Sequence, residues 1–152
     1  MYFKSIHVLY YYFKFKGNFY SFIQYYEDLP IIEPEVDITI PDKREAEDML
    51  YNNIKRRLDR IESGKKVILK LSLPEQDNFY EPLTQHPNIL RIVALSGGFE
   101  KKIAVNKLKQ NKNMIASFSR ALTEGLKSDS SKQEFEEQLD RTVQSIYEAS
   151  LS

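Results

Sequence analysis

Lys70 interrupts an apolar run, Val67-Ile68-Leu69-Lys70-Leu71, where a strand would otherwise be all hydrocarbon. A charged ammonium held dry there costs several kcal/mol, so the position invites a chemical explanation. Burial disfavours the charged form of a lysine, and the freed lone pair is a nucleophile that condenses with carbonyls into a Schiff base. Alternate strand residues face opposite ways, which puts Ile68, Lys70 and Ser72 on one face and Leu69, Leu71 and Leu73 on the other. Upstream, Glu33 and Glu35 flank Pro34, and a carboxylate beside such an amine can move protons during carbonyl chemistry. A plainer arrangement uses the same residues: a lysine that snorkels from an edge strand, or one neutralised by Glu33 in an ion pair. Residue types alone leave the two open.

A second group of residues suits an anion. Ser96-Gly97-Gly98 follows the apolar run Ile89 to Leu95 and precedes a helical pattern. Glycines there let backbone N–H groups approach a phosphate closely, with a helix dipole behind them. Gly-Gly alone more often makes only a turn. Arg120 adds weight, because it follows the next apolar run, in Ser117-Phe118-Ser119-Arg120, and a guanidinium can fork onto a phosphate. A phosphate site made by the loops after the last two strands recurs in (β/α)8 barrels.

The elements that must carry these groups are legible from residue 29 onward. Leu29 to about Pro34 reads as a short strand. A helix opens at Pro41-Asp42, with Ala46, Met49, Leu50, Ile54, Leu58 and Ile61 at helical spacing and Gly64 as its stop. Val67 to Leu73 is a second strand, Tyr80 to Gln85 a short helix, and Ile89 to Leu95 a third strand. Phe99 to Leu108 is helical and Met114 to Phe118 is a fourth strand. Helices over Ser119–Lys127 and Ser131–Ala149 follow. Near-continuous apolar strands alternating with helices call for a parallel sheet in an α/β fold.

The chain has 152 residues, enough for a real hydrophobic core, and a formal net charge of +0, which speaks against nucleic acid as a partner. Cysteine is absent and the two histidines, His7 and His86, are far apart, so no metal centre is expected. Residues 1–28 read differently from the rest. Twelve of the nineteen aromatics fall in the first 26 residues. The apolar run Ile6 to Phe13 is shorter than the about 20 residues a membrane span needs. Lysines flanking the aromatics also fit an interfacial membrane helix, but a low-complexity leader without chemistry is the preferred expectation. No membrane partner is expected, and a cytoplasmic setting is the default.

LPIIEPEV, VILKLSLP, LRIVALSGG and IASFSRAL, in this order and spacing, closely resemble the class I fructose-bisphosphate aldolases, particularly their shorter bacterial branch. The resemblance covers about Leu29 to Ser150. It implies a TIM barrel that cleaves fructose 1,6-bisphosphate, a sugar-phosphate substrate of glycolysis, into dihydroxyacetone phosphate and glyceraldehyde 3-phosphate, with no metal or cofactor. It also implies that Lys70 is the Schiff-base lysine, Glu33 the proton acceptor and Glu35 the second carboxylate of the Glu-Pro-Glu motif. Ser96, Gly97, Gly98, Ser119 and Arg120 fall on the segments that hold the phosphate next to the ketone. Ser119 stands where longer members of the family have glycine, a small change that leaves room for a ligand.

A complete barrel has eight strands and typically about 250 residues. The four strand–helix units legible here correspond to the family's second half, and residues 1–28 offer no counterpart for the aspartate and lysines that the first half supplies. The expected architecture is therefore a partial TIM (β/α)8 barrel over residues 29–152, preceded by an atypical leader over 1–28. Such a half barrel exposes two sheet edges and one apolar inner face, which invites pairing or aggregation. It is expected to be weakly stable, to associate with itself or with a complementary half, and to have little or no aldolase activity alone. The alternative is a non-catalytic half barrel that binds phosphate or a complementary half.

Overall fold

The computed structural model describes residues 29–152; the aromatic segment 1–28 lies outside the described residues. Four strands form one sheet: β1 (Ile31–Ile32), β2 (Val67–Ser72), β3 (Ile89–Leu95) and β4 (Met114–Ala116). All neighbours are parallel and the order is β1-β2-β3-β4. Helix α1 (Lys43–Leu58) joins β1 to β2, a 3-10 turn (Glu81–Gln85) lies between β2 and β3, and α2 (Lys101–Lys109) joins β3 to β4. Two helices follow, α3 (Arg120–Thr123) and α4 (Lys132–Ala149).

Strand order equal to chain order has a physical consequence. Crossovers between parallel strands are right-handed, so a sheet that always advances in one direction collects its helices on one face. A doubly wound sheet reverses direction and covers both faces. Four parallel strands alternating with helices in this order are therefore consistent with part of a TIM barrel, whose other face is the barrel interior.

Side-chain burial follows that division. Val67, Leu69 and Leu71 of β2, Ile92 and Ala94 of β3 and Met114 of β4 form one core with Leu50, Ile54 and Leu58 of α1 and Ala104, Val105 and Leu108 of α2. Truncating any of the fully buried leucines to alanine costs about 2–5 kcal/mol. The interior face carries Ile68 and Lys70 of β2, Arg91 and Val93 of β3 and Ile115 of β4, aligned by the register Ile68↔Arg91, Lys70↔Val93 and Val93↔Ile115. On this face Arg91 is exposed and Ile68, Lys70, Val93 and Ile115 are half-buried.

A buried polar tie anchors the first crossover. Lys43 pairs with Glu47 one turn along α1 and donates to the carbonyl of Leu73 at 3.0 Å. The Glu47 carboxylate in turn accepts the backbone N–H of Glu75, at 3.0 Å to Oε2. Both side chains are buried, and removing one partner of a pair like this costs about 3–5 kcal/mol. Charges in the first turn of a helix look solvated in sequence, and nothing in the residue pattern distinguishes these two.

Several boundaries differ from expectation. β1 is two residues long because Pro34 has no N–H for the ladder. α1 stops at Leu58, although Ile61 still joins the core. The helix expected over Ser119–Lys127 is only Arg120–Thr123, since Glu124 turns extended and Gly125 has φ +86°. α4 begins where the sequence predicts, on a capping box in which Ser131 and Glu134 exchange side-chain and backbone hydrogen bonds.

The two sheet edges are not equally open. On the outer side of β4, the N–H of Ala116 donates to Ser150 Oγ at 3.0 Å and the N–H of Asn113 donates to the Ser152 carbonyl at 3.1 Å. The end of α4 thus occupies donors that a neighbouring strand would use, which corrects the expectation of two free edges. No helix among the described residues is long and apolar enough to cross a membrane.

Candidate active site

Register brings the first two candidate residues together. Ile31 pairs with Ile68 and Ile32 with Leu69, so the next residue of the chain, Glu33, runs alongside Lys70 on the interior face. Lys70 Nζ lies 2.7 Å from Glu33 Oε1. The pair sits where β1 ends, toward the carboxyl end of the sheet, the end at which parallel barrels hold their ligands.

The amine is not dry. A quarter of the Lys70 side chain and half of Glu33 are exposed, which corrects the expectation of an amine held among hydrocarbon. The physical reason is a half-buried interior face: among the described residues β1 to β4 wall the amine on one side. A pair this open contributes about 0–1 kcal/mol to stability, so its value lies in placing a carboxylate at hydrogen-bond distance from a nucleophile. Glu35 is exposed and makes no ion pair among the described residues.

The anion-binding candidates lie at the same end of the sheet. Ser96, Gly97 and Gly98 form the turn leaving β3, with φ +61° at Gly97 and +99° at Gly98. Both values lie in the left-handed region that favours glycine. The amide of Phe99 closes the turn on the Ser96 carbonyl at 2.9 Å, and the amides of Gly97 and Gly98 have no acceptor among the described residues. Ser119 and Arg120 open α3 just after β4; the Arg120 guanidinium is exposed and has no carboxylate partner among the described residues. Two free amides and a free guanidinium at the ends of adjacent strands are a donor set suited to a phosphate.

Three residues that the sequence left unassigned shape this end of the sheet. Ser72, two positions beyond Lys70 on the same strand, exchanges two hydrogen bonds with the backbone of Val36. Its parity with Lys70 was legible; its partner was not. Ile38 leans over the glycine turn, its Cγ2 lying 3.1 Å from where a Gly97 Cβ would stand. Glu124 accepts the backbone N–H of Lys101 at 2.7 Å, so the first turn of α2 already holds an anion from its own chain. The Lys101 N–H at the α2 terminus is therefore already occupied. Among the described residues, no three His, Cys, Asp or Glu side chains converge as metal ligands.

No family model matches the chain. Curated proteins do, among them two at 48% identity. The class 1 fructose-bisphosphate aldolase of Clostridium acetobutylicum is 48% identical over 124 residues, which is 82% of this chain and 42% of that protein. The class 1 fructose-bisphosphate aldolase of a Synechocystis strain is 48% identical over 124 residues, covering 82% of this chain and 41% of its own length. The chain spans about two fifths of the length of the curated relatives it matches.

Proposed function

On a 124-residue match at 48% identity to class 1 fructose-bisphosphate aldolases, we propose that the chain carries the Schiff-base portion of an aldolase site. Lys70 is the amine that attacks the ketone carbon of fructose 1,6-bisphosphate. Loss of water from the carbinolamine leaves an iminium, an electron sink for the bond pair released when C3–C4 breaks. The C4 hydroxyl gives up its proton and leaves as the aldehyde of glyceraldehyde 3-phosphate. The enamine left on Lys70 is protonated at C3 and hydrolysed to dihydroxyacetone phosphate. Glu33, 2.7 Å from the amine, takes and returns protons as the carbinolamine forms and dehydrates. Glu35 contributes a second negative charge nearby. Ser96, Gly97, Gly98, Ser119 and Arg120 hold the phosphate next to the ketone. Sugar-phosphate chemistry of this kind suits a cytoplasmic setting.

The Lys70–Glu33 contact at the ligand end of a parallel sheet is the observation that carries this proposal. The exposure of Lys70 favours a second one: a half barrel that binds phosphate, alone or against a complementary half, without turnover. Incubation with dihydroxyacetone phosphate and borohydride, followed by peptide mass mapping, separates the two. A reduced adduct on Lys70 that is lost in Lys70→Met, and weakened about tenfold or more in Arg120→Ala, supports the aldolase site. Absence of any adduct, with phosphate still raising the melting temperature, supports the second.

A further inference from the structure

The Lys70–Glu33 contact depends on a short segment that lies beyond the strand ladder and is tied back at Val36, a core residue. Ladder pairing of β1 ends at Ile32↔Leu69, and the residue after Glu33 is Pro34, which has no N–H to donate. Past that point no ladder bond ties the chain to β2, and core packing of Val36 sets its path without fixing a polar contact. The polar contact is made at Val36, whose N–H donates to Ser72 Oγ at 2.9 Å and whose carbonyl accepts from the same hydroxyl at 3.0 Å. Ser72 is buried and therefore has no water to offer in place of those bonds. Glu33 is thus bracketed by a backbone ladder one residue before it and a side-chain clamp three residues after it.

We propose that Ser72 is a positioning residue for this site: its hydroxyl clamps Val36, and the clamp keeps the Glu33 carboxylate against the Lys70 amine. Two residues beyond the clamp, Ile38 meets the glycine turn, so the same hydroxyl also sets how that turn is covered. The inference rests on the proposed aldolase site for its purpose, but the clamp itself can be tested without turnover.

A water-soluble carbodiimide joins a carboxylate to an amine only where the two touch, so the yield of Glu33–Lys70 crosslink reads the contact directly. Ser72→Thr keeps the hydroxyl, while Ser72→Ala and Ser72→Val remove it, the latter with the shape of threonine. Expected results are a crosslink yield near that of the unaltered chain for Ser72→Thr and a yield lower by about fivefold or more for the other two, with circular dichroism unchanged. Borohydride trapping is expected to fall in the same order, and Ser72→Ala is expected to add little to the defect of Glu33→Gln, because Ser72 acts through Glu33. Equal crosslink yields in all forms would overturn the clamp. Unfolding of both hydroxyl-free variants would do so too, since Ser72 would then hold the fold and not the segment. If the unaltered chain forms no adduct with dihydroxyacetone phosphate while the crosslink yields still follow the hydroxyl, the aldolase proposal fails and the clamp stands.

Discussion

Lys70 Nζ and Glu33 Oε1 are 2.7 Å apart, joined across the register of two parallel strands and not along one helix or loop. That geometry makes Glu33 the nearest carboxylate to the amine and predicts its share of the chemistry. Glu33→Gln keeps the shape and removes the charge. Formation of the borohydride-trapped adduct is expected to slow by about 100-fold or more, the usual worth of a positioned proton carrier. Quench-flow trapping with mass detection measures it. A rate within threefold of the unaltered chain would remove Glu33 from the proton pathway.

Gly97→Ala tests the glycine turn. The new methyl would meet Ile38 Cγ2 at 3.1 Å and Leu95 Cδ1 at 3.3 Å, on a backbone with φ +61°. Left-handed backbone costs a non-glycine residue about 1–2 kcal/mol before any crowding is added. Urea unfolding is expected to give a loss of that size or more, together with weaker phosphate binding. Gly64→Ala, where no atom lies within 4 Å of the added methyl but φ is +90°, isolates the backbone cost alone.

Tyr80 offers a stabilising change. The residue is fully buried, its hydroxyl has no hydrogen-bond partner among the described residues, and its ring packs on Phe79 with centroids 4.9 Å apart. Burial first, then the nearby Glu47 and Asp48 carboxylates, hold the phenol well above its usual pKa and therefore neutral. Tyr80→Phe keeps the ring and removes the stranded group, whose burial without a partner costs about 1–3 kcal/mol. The melting temperature is expected to stay level or rise. A fall of several degrees would mean that the hydroxyl has a partner after all.

The capping box of α4 should give a pH signature. Hydrogen bonds from the Ser131 side chain, then from its backbone, hold the Glu134 carboxyl below the usual carboxylate range. A group whose pKa is depressed in the folded chain stabilises fully above its unfolded value and loses that contribution as pH falls through the folded value. Helicity from α4 is therefore expected to be constant near neutrality and to decline only on the acid side of the ordinary carboxylate range. Ser131→Ala should cost about 1 kcal/mol at neutral pH and flatten that decline. Circular dichroism at 222 nm against pH checks both.

How far the residues alone led depended on whether a feature was local. β3 was legible to the residue because Ile89 to Leu95 is an apolar run broken only by Arg91, between His86-Pro87 and two glycines. The start of α4 was legible because a capping box is four residues of chemistry. The candidate pair Lys70 and Glu33 could be named, but its exposure could not, because that depends on what covers the interior face. Lys43 and Glu47 were invisible for the same reason. Their burial comes from the β2 loop folding back over the start of α1, and the bond that holds it, Glu75 to Glu47, spans 28 residues. Ser72 stood on the correct face by parity, yet its partner lies 36 residues away.

Ser150 and Ser152, seated on the outer side of β4, would limit any edge-to-edge pairing of copies of this chain. Strand-by-strand polymerisation requires two docking flanks per molecule, and among the described residues only β1 retains one. Should copies meet edge to edge there, the pair would consume both open flanks and present α4 termini outward, so addition would stop at two. In that event the serines would favour closed pairs over fibres.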